Sequence, residues 1–126
     1  MEIEETLVTY LKTHAGLAGL VAARIYPLQL PQSPTLPALV YTRVSGARTH
    51  TQSWTPVIAR PRIQFDCWAA TYSGAKALAA QLRAALDGYH ATADTWGSRQ
   101  DNDIDILDDD TGRYRVVVDI IVIHSA

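Results

Sequence analysis

The feature that most constrains the fold is RIQFDCWA (62–69), because it alternates without a break. Ile63, Phe65 and Cys67 share one side, while Arg62, Gln64, Asp66 and Trp68 share the other. Period-two alternation puts successive side chains on opposite faces, so this segment is a strand with one apolar and one polar face. The apolar face needs a cover. TYSGAKALAAQLRAALDGYH, which follows directly, supplies it. Ala75, Leu78, Ala79, Leu82, Ala85, Leu86 and Tyr89 recur at helical spacing and form one stripe. Thr71 or Ser73 can cap the start of this helix and Gly88 can end it.

The remaining elements arrange themselves around that pair. Residues 2–15 predict a second helix, with Ile3, Leu7, Tyr10, Leu11 and His14 on one stripe. Glu2, Glu4 and Glu5 lie in its first turn, where negative charge complements the helix dipole, and Gly16 is the expected C-cap. LAGLVAA reads as an apolar turn and RIYPL as a short extended piece. ALVYTRVS (38–45) and RYRVVVDIIVIH (113–124) read as strands, the latter apolar on both faces as for a strand covered on both sides. A shorter strand is expected over 103–109, joined to the last by the DDDTG turn with Gly112. Residues 47–56 and 90–102 lack periodicity and are expected to be loops. The order predicts a single α+β domain: a mainly antiparallel sheet with two helices packed on one face. The other face is left to water or to another chain.

Bulk properties narrow the function. The 126 residues are 48% hydrophobic and 19% charged, with a formal charge of −2. That is globular composition without a basic run for duplex binding. The acidic, amphipathic start is unlike a signal peptide, and no apolar run approaches the roughly 20 residues that span a bilayer. Cys67 is the sole cysteine, so no intrachain disulfide is expected and the compartment is read as reducing.

Candidate chemistry is thin. Cys67 with one of His14, His50, His90 or His124 could pair a nucleophile with a base, and Asp66 or Asp119 could orient it. Its apolar-face position argues instead for an inert buried thiol. Asp101, Asp103 and Asp105 begin like a calcium loop, but Ile106 replaces the turn glycine and Gly112 the bidentate glutamate. The alternative is an acidic turn that keeps a sheet edge soluble. No cofactor or metal is expected.

Trp54 and Trp96 in loops and Trp68 on the polar register of its strand are candidate interface anchors. The alternative is that each folds back onto the core edge. Arg62/Asp66 and Arg115/Asp119 share a four-residue spacing. With Gln64 opposite Val117, Arg62 would meet Asp119 and Asp66 would meet Arg115 across antiparallel strands. Ile121 and Ile123 continue that face beyond the charges.

PLQLPQSPTLPALVY (27–41) carries two PxxP patterns. Leu28, Leu30, Leu36 and Leu39 interleave with the prolines. This favours a stiff, half-buried connector over a free ligand peptide, with Gln32 and Ser33 at its tip.

Four segments together resemble the tail-completion, or tail-terminator, proteins of long-tailed bacteriophages and prophages. They are GLAGLVAARIYPLQLPQ, LPALVYTRVSG, RPRIQFDCWAATYSGAKALAAQLRAALDG and TGRYRVVVDIIVIH. The resemblance implies a structural virion protein with no catalytic residues. Such proteins form a ring, usually a hexamer, at the head-proximal end of the tail tube. There it would stop tube polymerisation and join tail to head. The implied partners are further copies of the chain, the tube protein and a head-completion or connector protein. DNA would pass through the lumen unbound, and no membrane is involved. The long loops at 46–60 and 90–103 are expected to carry axial contacts or line the channel. The competing readings are another ring component of the same head–tail interface, a PxxP adaptor, and a small thiol enzyme centred on Cys67.

Overall fold

The computed structural model describes residues 3–50, 56–90, 96–108 and 112–125. The chain forms helix α1 (Ile3–Thr13), helix α2 (Ala15–Val21), strands β1 (Ile25–Pro27), β2 (Ala38–His50) and β3 (Pro56–Ala69), and helix α3 (Tyr72–Leu86). Strands β4 (Tyr89–His90), β5 (Trp96–Asp108) and β6 (Arg113–Ser125) complete it. The six strands make one sheet in the order β1-β2-β3-β6-β5-β4, antiparallel except for the β1–β2 pair. The α+β architecture is as expected, with a third helix added.

That helix, α2, replaces the expected apolar turn. His14 adopts extended backbone between α1 and α2, so Gly16 does not cap α1 but lies in the first turn of α2. The second helix forms because Leu17 and Val21, one turn apart, are both fully buried. Packing overrides the low propensity of a segment with two glycines. The ends of α3 are those expected: Thr71 Oγ1 accepts from the Gly74 N–H at 3.0 Å, and Gly88 takes φ +76° after the helix.

The core lies between the helices and one face of the sheet. Leu7, Leu11, Leu17, Val21, Leu78, Leu82 and Leu86 meet Ile63, Phe65, Cys67, Val118, Ile120 and Val122, all at 1% exposure or less. The alternation of β3 is therefore oriented as predicted, apolar side to the helices. Burying a Leu or Phe side chain stabilises by about 1.5–3 kcal/mol, so this layer dominates the favourable terms.

The described parts of two expected loops are strands. Residues 46–50 and 56–60 extend β2 and β3 into a paired arm. Residues 51–55, with Trp54, and residues 91–95 lie outside the described residues. Residues 96–102 begin β5, which pairs with β6 along its whole length through a bulge at Gln100/Asn102. The proline-rich segment is the crossover between the parallel strands β1 and β2, which no tight turn could connect. It is more exposed than expected. Leu28 sits at φ +67° and is 73% exposed, against the burial expected for it, while Leu30 and Leu36 are half-buried. Gln32 and Ser33 are exposed at the tip.

Candidate functional site

The helix-free face of the sheet holds most of the candidate residues. β3 contributes Arg62, Gln64, Asp66 and Trp68, and β6 contributes Arg115, Asp119, Ile121 and Ile123. The register differs from the expected one by two residues: Gln64 lies opposite Asp119 and Trp68 opposite Arg115. A two-residue offset keeps every side chain on its face, so the partners survive as diagonal neighbours. Arg62 Nη1 is 3.4 Å from Asp119 Oδ2, and Arg115 Nη1 is 3.4 Å from Asp66 Oδ2.

The shift admits further members. Arg62 Nη1 makes its shortest bridge, 2.7 Å, to Asp101 on β5, which also meets Arg99 at 3.5 Å. The slot directly opposite Arg115 belongs to Trp68, and the guanidinium lies 5.1 Å from the ring centroid. This is cation–π distance, and a planar guanidinium stacks there better than an ammonium. Asp66 is the most enclosed charge, 9% exposed. Burial raises its pKa, and Arg115 and Gln64 only partly offset that. Asp101 is held below the usual carboxylate range, first by the hydrogen bond from Arg62.

The acidic stretch 101–105 is strand, not a calcium loop or a turn. On the helix side of β5, Asp105 accepts from Tyr72 at 2.7 Å and from Lys76 at 2.8 Å, and Asp103 accepts from Arg83 at 3.0 Å. The carboxylates splay to two faces and pair with cations. Among the described residues no cluster of His, Cys, Asp and Glu could hold a metal ion. Cys67 is fully buried and its thiol pKa is pushed well up by burial, the environment of an inert thiol.

Trp96 is not an exposed anchor. It is 4% exposed and packs against Tyr10 and Tyr89, with ring centroids 5.9 and 5.1 Å away, so it has folded back onto the core. The Tyr10 hydroxyl donates to the Ala85 carbonyl at 2.8 Å, which ties α1 to α3 beneath this cluster. Trp68 is half-buried under Arg115, and Ile123 is 41% exposed.

In sequence, the acidic residues 101–105 read as a turn at a sheet edge; they are instead part of the edge strand itself, and the open β2 edge is unexpected. β1 covers β2 only at residues 39–41, and β4 covers β5 only at residues 97–98. A shallow groove of about 290 Å³ beside the β2 edge is lined by Glu4, Glu5, Pro27, Leu28, Tyr41, Thr42 and Arg43.

In this α+β unit ion pairs cross the helix-free face, and most exposed apolar side chains lie toward the sheet margins. The chain belongs to the family of tail completion protein gp17, whose model matches residues 5–125. A search of curated protein sequences returns no match. Among solved structures it resembles a chain from the virion of a native gene transfer agent particle. The TM-score is 0.71 at 19% identity, covering 94% of this chain and 90% of that one, which is a likeness of fold. By its family, the protein is a structural component of a virion tail. No described helix is long and apolar enough to cross a membrane.

Proposed function

We propose that this chain assembles as a hexameric ring on the head-proximal end of the tail tube, where it ends tube polymerisation and provides the surface to which the head connector docks. The observation that carries this reading is the family match over nearly the whole chain, joined to a fold with two unlike, uncovered sheet margins. Unlike margins suit head-to-tail contacts, which close into a ring when the rotation per subunit divides the circle. A geometric, non-enzymatic role is supported by the family match, by the burial of Cys67 and by the pairing of Asp101, Asp103 and Asp105 with Arg62, Arg83 and Lys76. The β2–β3 arm is the element suited to reach the tube or the connector. DNA passes through the lumen without specific binding.

Electron microscopy of particles made without the protein tests this. Overlong or head-free tails are expected, restored by supplying the chain in trans. Normal virions in its absence would overturn the reading.

A further inference from the structure

An unpaired strand edge is a template for another chain, and proteins that do not use such edges keep them short or charged. This sheet has two long ones. Beyond β1, residues 42–50 of β2 have no outer neighbour among the described residues. Beyond β4, neither do residues 101–108 of β5. The short strands cover opposite ends, so the open stretches are staggered along the sheet. Through the register, the β2 stretch lies level with residues 56–64 of β3, and the β5 stretch with about 64–69.

Three further observations concern these stretches. Residues 42–50 carry two arginines and no carboxylate, Arg43 being paired with Glu4 of α1, whereas 101–108 carry four aspartates and no cation. Although paired within the subunit, the side chains of Asp103 and Asp105 remain 43% and 41% exposed. The exposed large apolar side chains also divide between the margins. Leu28 and Val44 lie beside β2, and Ile104, Leu107 and Tyr72 beside β5; among the described residues only Ile123 lies elsewhere. Finally, each neighbouring pair from β2 to β5 is antiparallel, so β2 and β5 run in opposite directions.

From these we infer that residues 101–108 of one copy pair with residues 42–50 of the next, so that the sheet runs on from subunit to subunit. This rests on the ring reading above. Rotation about a ring axis preserves strand direction relative to that axis, so the joining pair is antiparallel, the better hydrogen-bonded arrangement. The stagger is that of tilted strands in a closed sheet. It also keeps β1 and β4 clear of the joint, since each lies past the end of the opposing stretch. With α3 crossing from β3 to β5 in the usual right-handed sense, the stagger matches the right-handed strand tilt when the helices lie outside. The helix-free face then lines the lumen. Its ion-paired members are Arg62, Arg99 and Arg115 with Asp66, Asp101 and Asp119, and strand alternation places Arg60 and Arg113 on the same face.

The test removes a backbone donor. Gln100 donates its N–H outward to Asp87 Oδ1 at 2.9 Å, and the bulge after it resets the alternation, so Asp103, Asp105 and Leu107 present the outward donors. Asp105→Pro deletes one at a position an edge strand tolerates, and Asp105→Asn is the control that keeps it. Asp105→Pro should stay folded by circular dichroism yet lose ring assembly, by solution mass and on tails, while Asp105→Asn assembles. Rings formed by folded Asp105→Pro would overturn the proposal and leave the ring reading intact. Should Asp105→Pro unfold, hydrogen exchange on wild-type rings decides. Amides 103, 105 and 107 become protected on assembly if the edge pairs; free exchange there refutes it. A wild-type chain that forms no ring, alone or on tails, defeats both readings together.

Discussion

The Arg115 guanidinium lies 5.1 Å from the Trp68 ring centroid while its Nη1 reaches Asp66 Oδ2 at 3.4 Å, so one side chain stacks on an aromatic and neutralises an enclosed carboxylate. Arg115→Ala strips both contacts and leaves Asp66 without its cation. The expected loss is about 2 kcal/mol, as for a half-buried pair broken on one side. Arg115→Lys should recover part of it, because the ammonium keeps the charge but not the stack. Urea midpoints of the three proteins check the order.

Asp66 also sets a pH dependence. Its folded pKa is raised, chiefly by burial, above the unfolded value of about 3.9. A raised folded pKa means the contribution is fully present below the unfolded pKa and is lost as pH rises through the folded one. The stability of Asp66→Asn minus that of wild type should therefore climb with pH across this window and level off above it. Asp101 and Asp105 act oppositely: their pKa values are lowered by hydrogen bonds from Arg62 and Lys76, so their contributions are lost as pH falls through those depressed values. Denaturation of the two proteins at a series of pH values isolates Asp66; a flat difference would contradict it.

Cys67 should be unreactive while the protein is folded. Full burial and a raised thiol pKa both suppress the thiolate. Labelling with a maleimide should follow the unfolding transition, and Cys67→Ala should assemble tails normally. Fast labelling of folded protein would show the thiol accessible after all.

Two glycines should respond in opposite directions to alanine. Gly19 lies inside α2 with open space where a methyl group would sit, so Gly19→Ala should stabilise by up to about 1 kcal/mol through helix propensity. Gly88 also has open space but sits at φ +76°, where a side chain costs roughly 1–2 kcal/mol. Thermal melts of the two variants on either side of wild type would confirm the contrast.

How far these properties are legible in the sequence varies with their cause. β3 and α3 announce themselves because local period and tertiary burial agree: every inward residue of RIQFDCWA is apolar. β6 is legible as an apolar run, but only one of its faces is covered by helices, not the two expected. α2 and β5 do not announce themselves. AGLAGLV has poor helix propensity, and only the i,i+4 pair Leu17 and Val21 hints at its burial. WGSRQDNDIDILD is rich in residues that strands disfavour. It is held instead by its ladder with β6, by lateral ion pairs to Arg62, Lys76 and Arg83, and by the packing of Trp96 on Tyr10 and Tyr89. The charged interface candidates fall on the expected face, and the aspartates of 101–105 do hint at a sheet edge, yet the open β2 margin leaves no local trace. An edge is defined by which strands are missing beside it, and strand order is not written in any one segment.

The Arg–Asp spacing of four, repeated on β3 and β6, has one more consequence. Alignments two residues apart both bring each arginine to an aspartate, once directly across and once on the diagonal. The charge pattern is thus degenerate: it fixes which way the strands run but not where they stop sliding. Alignment must come from shapes that tolerate no such substitution, namely Phe65 and its fully buried neighbours on the helix side. The ions act as a compass for the sheet, and the core as its ruler.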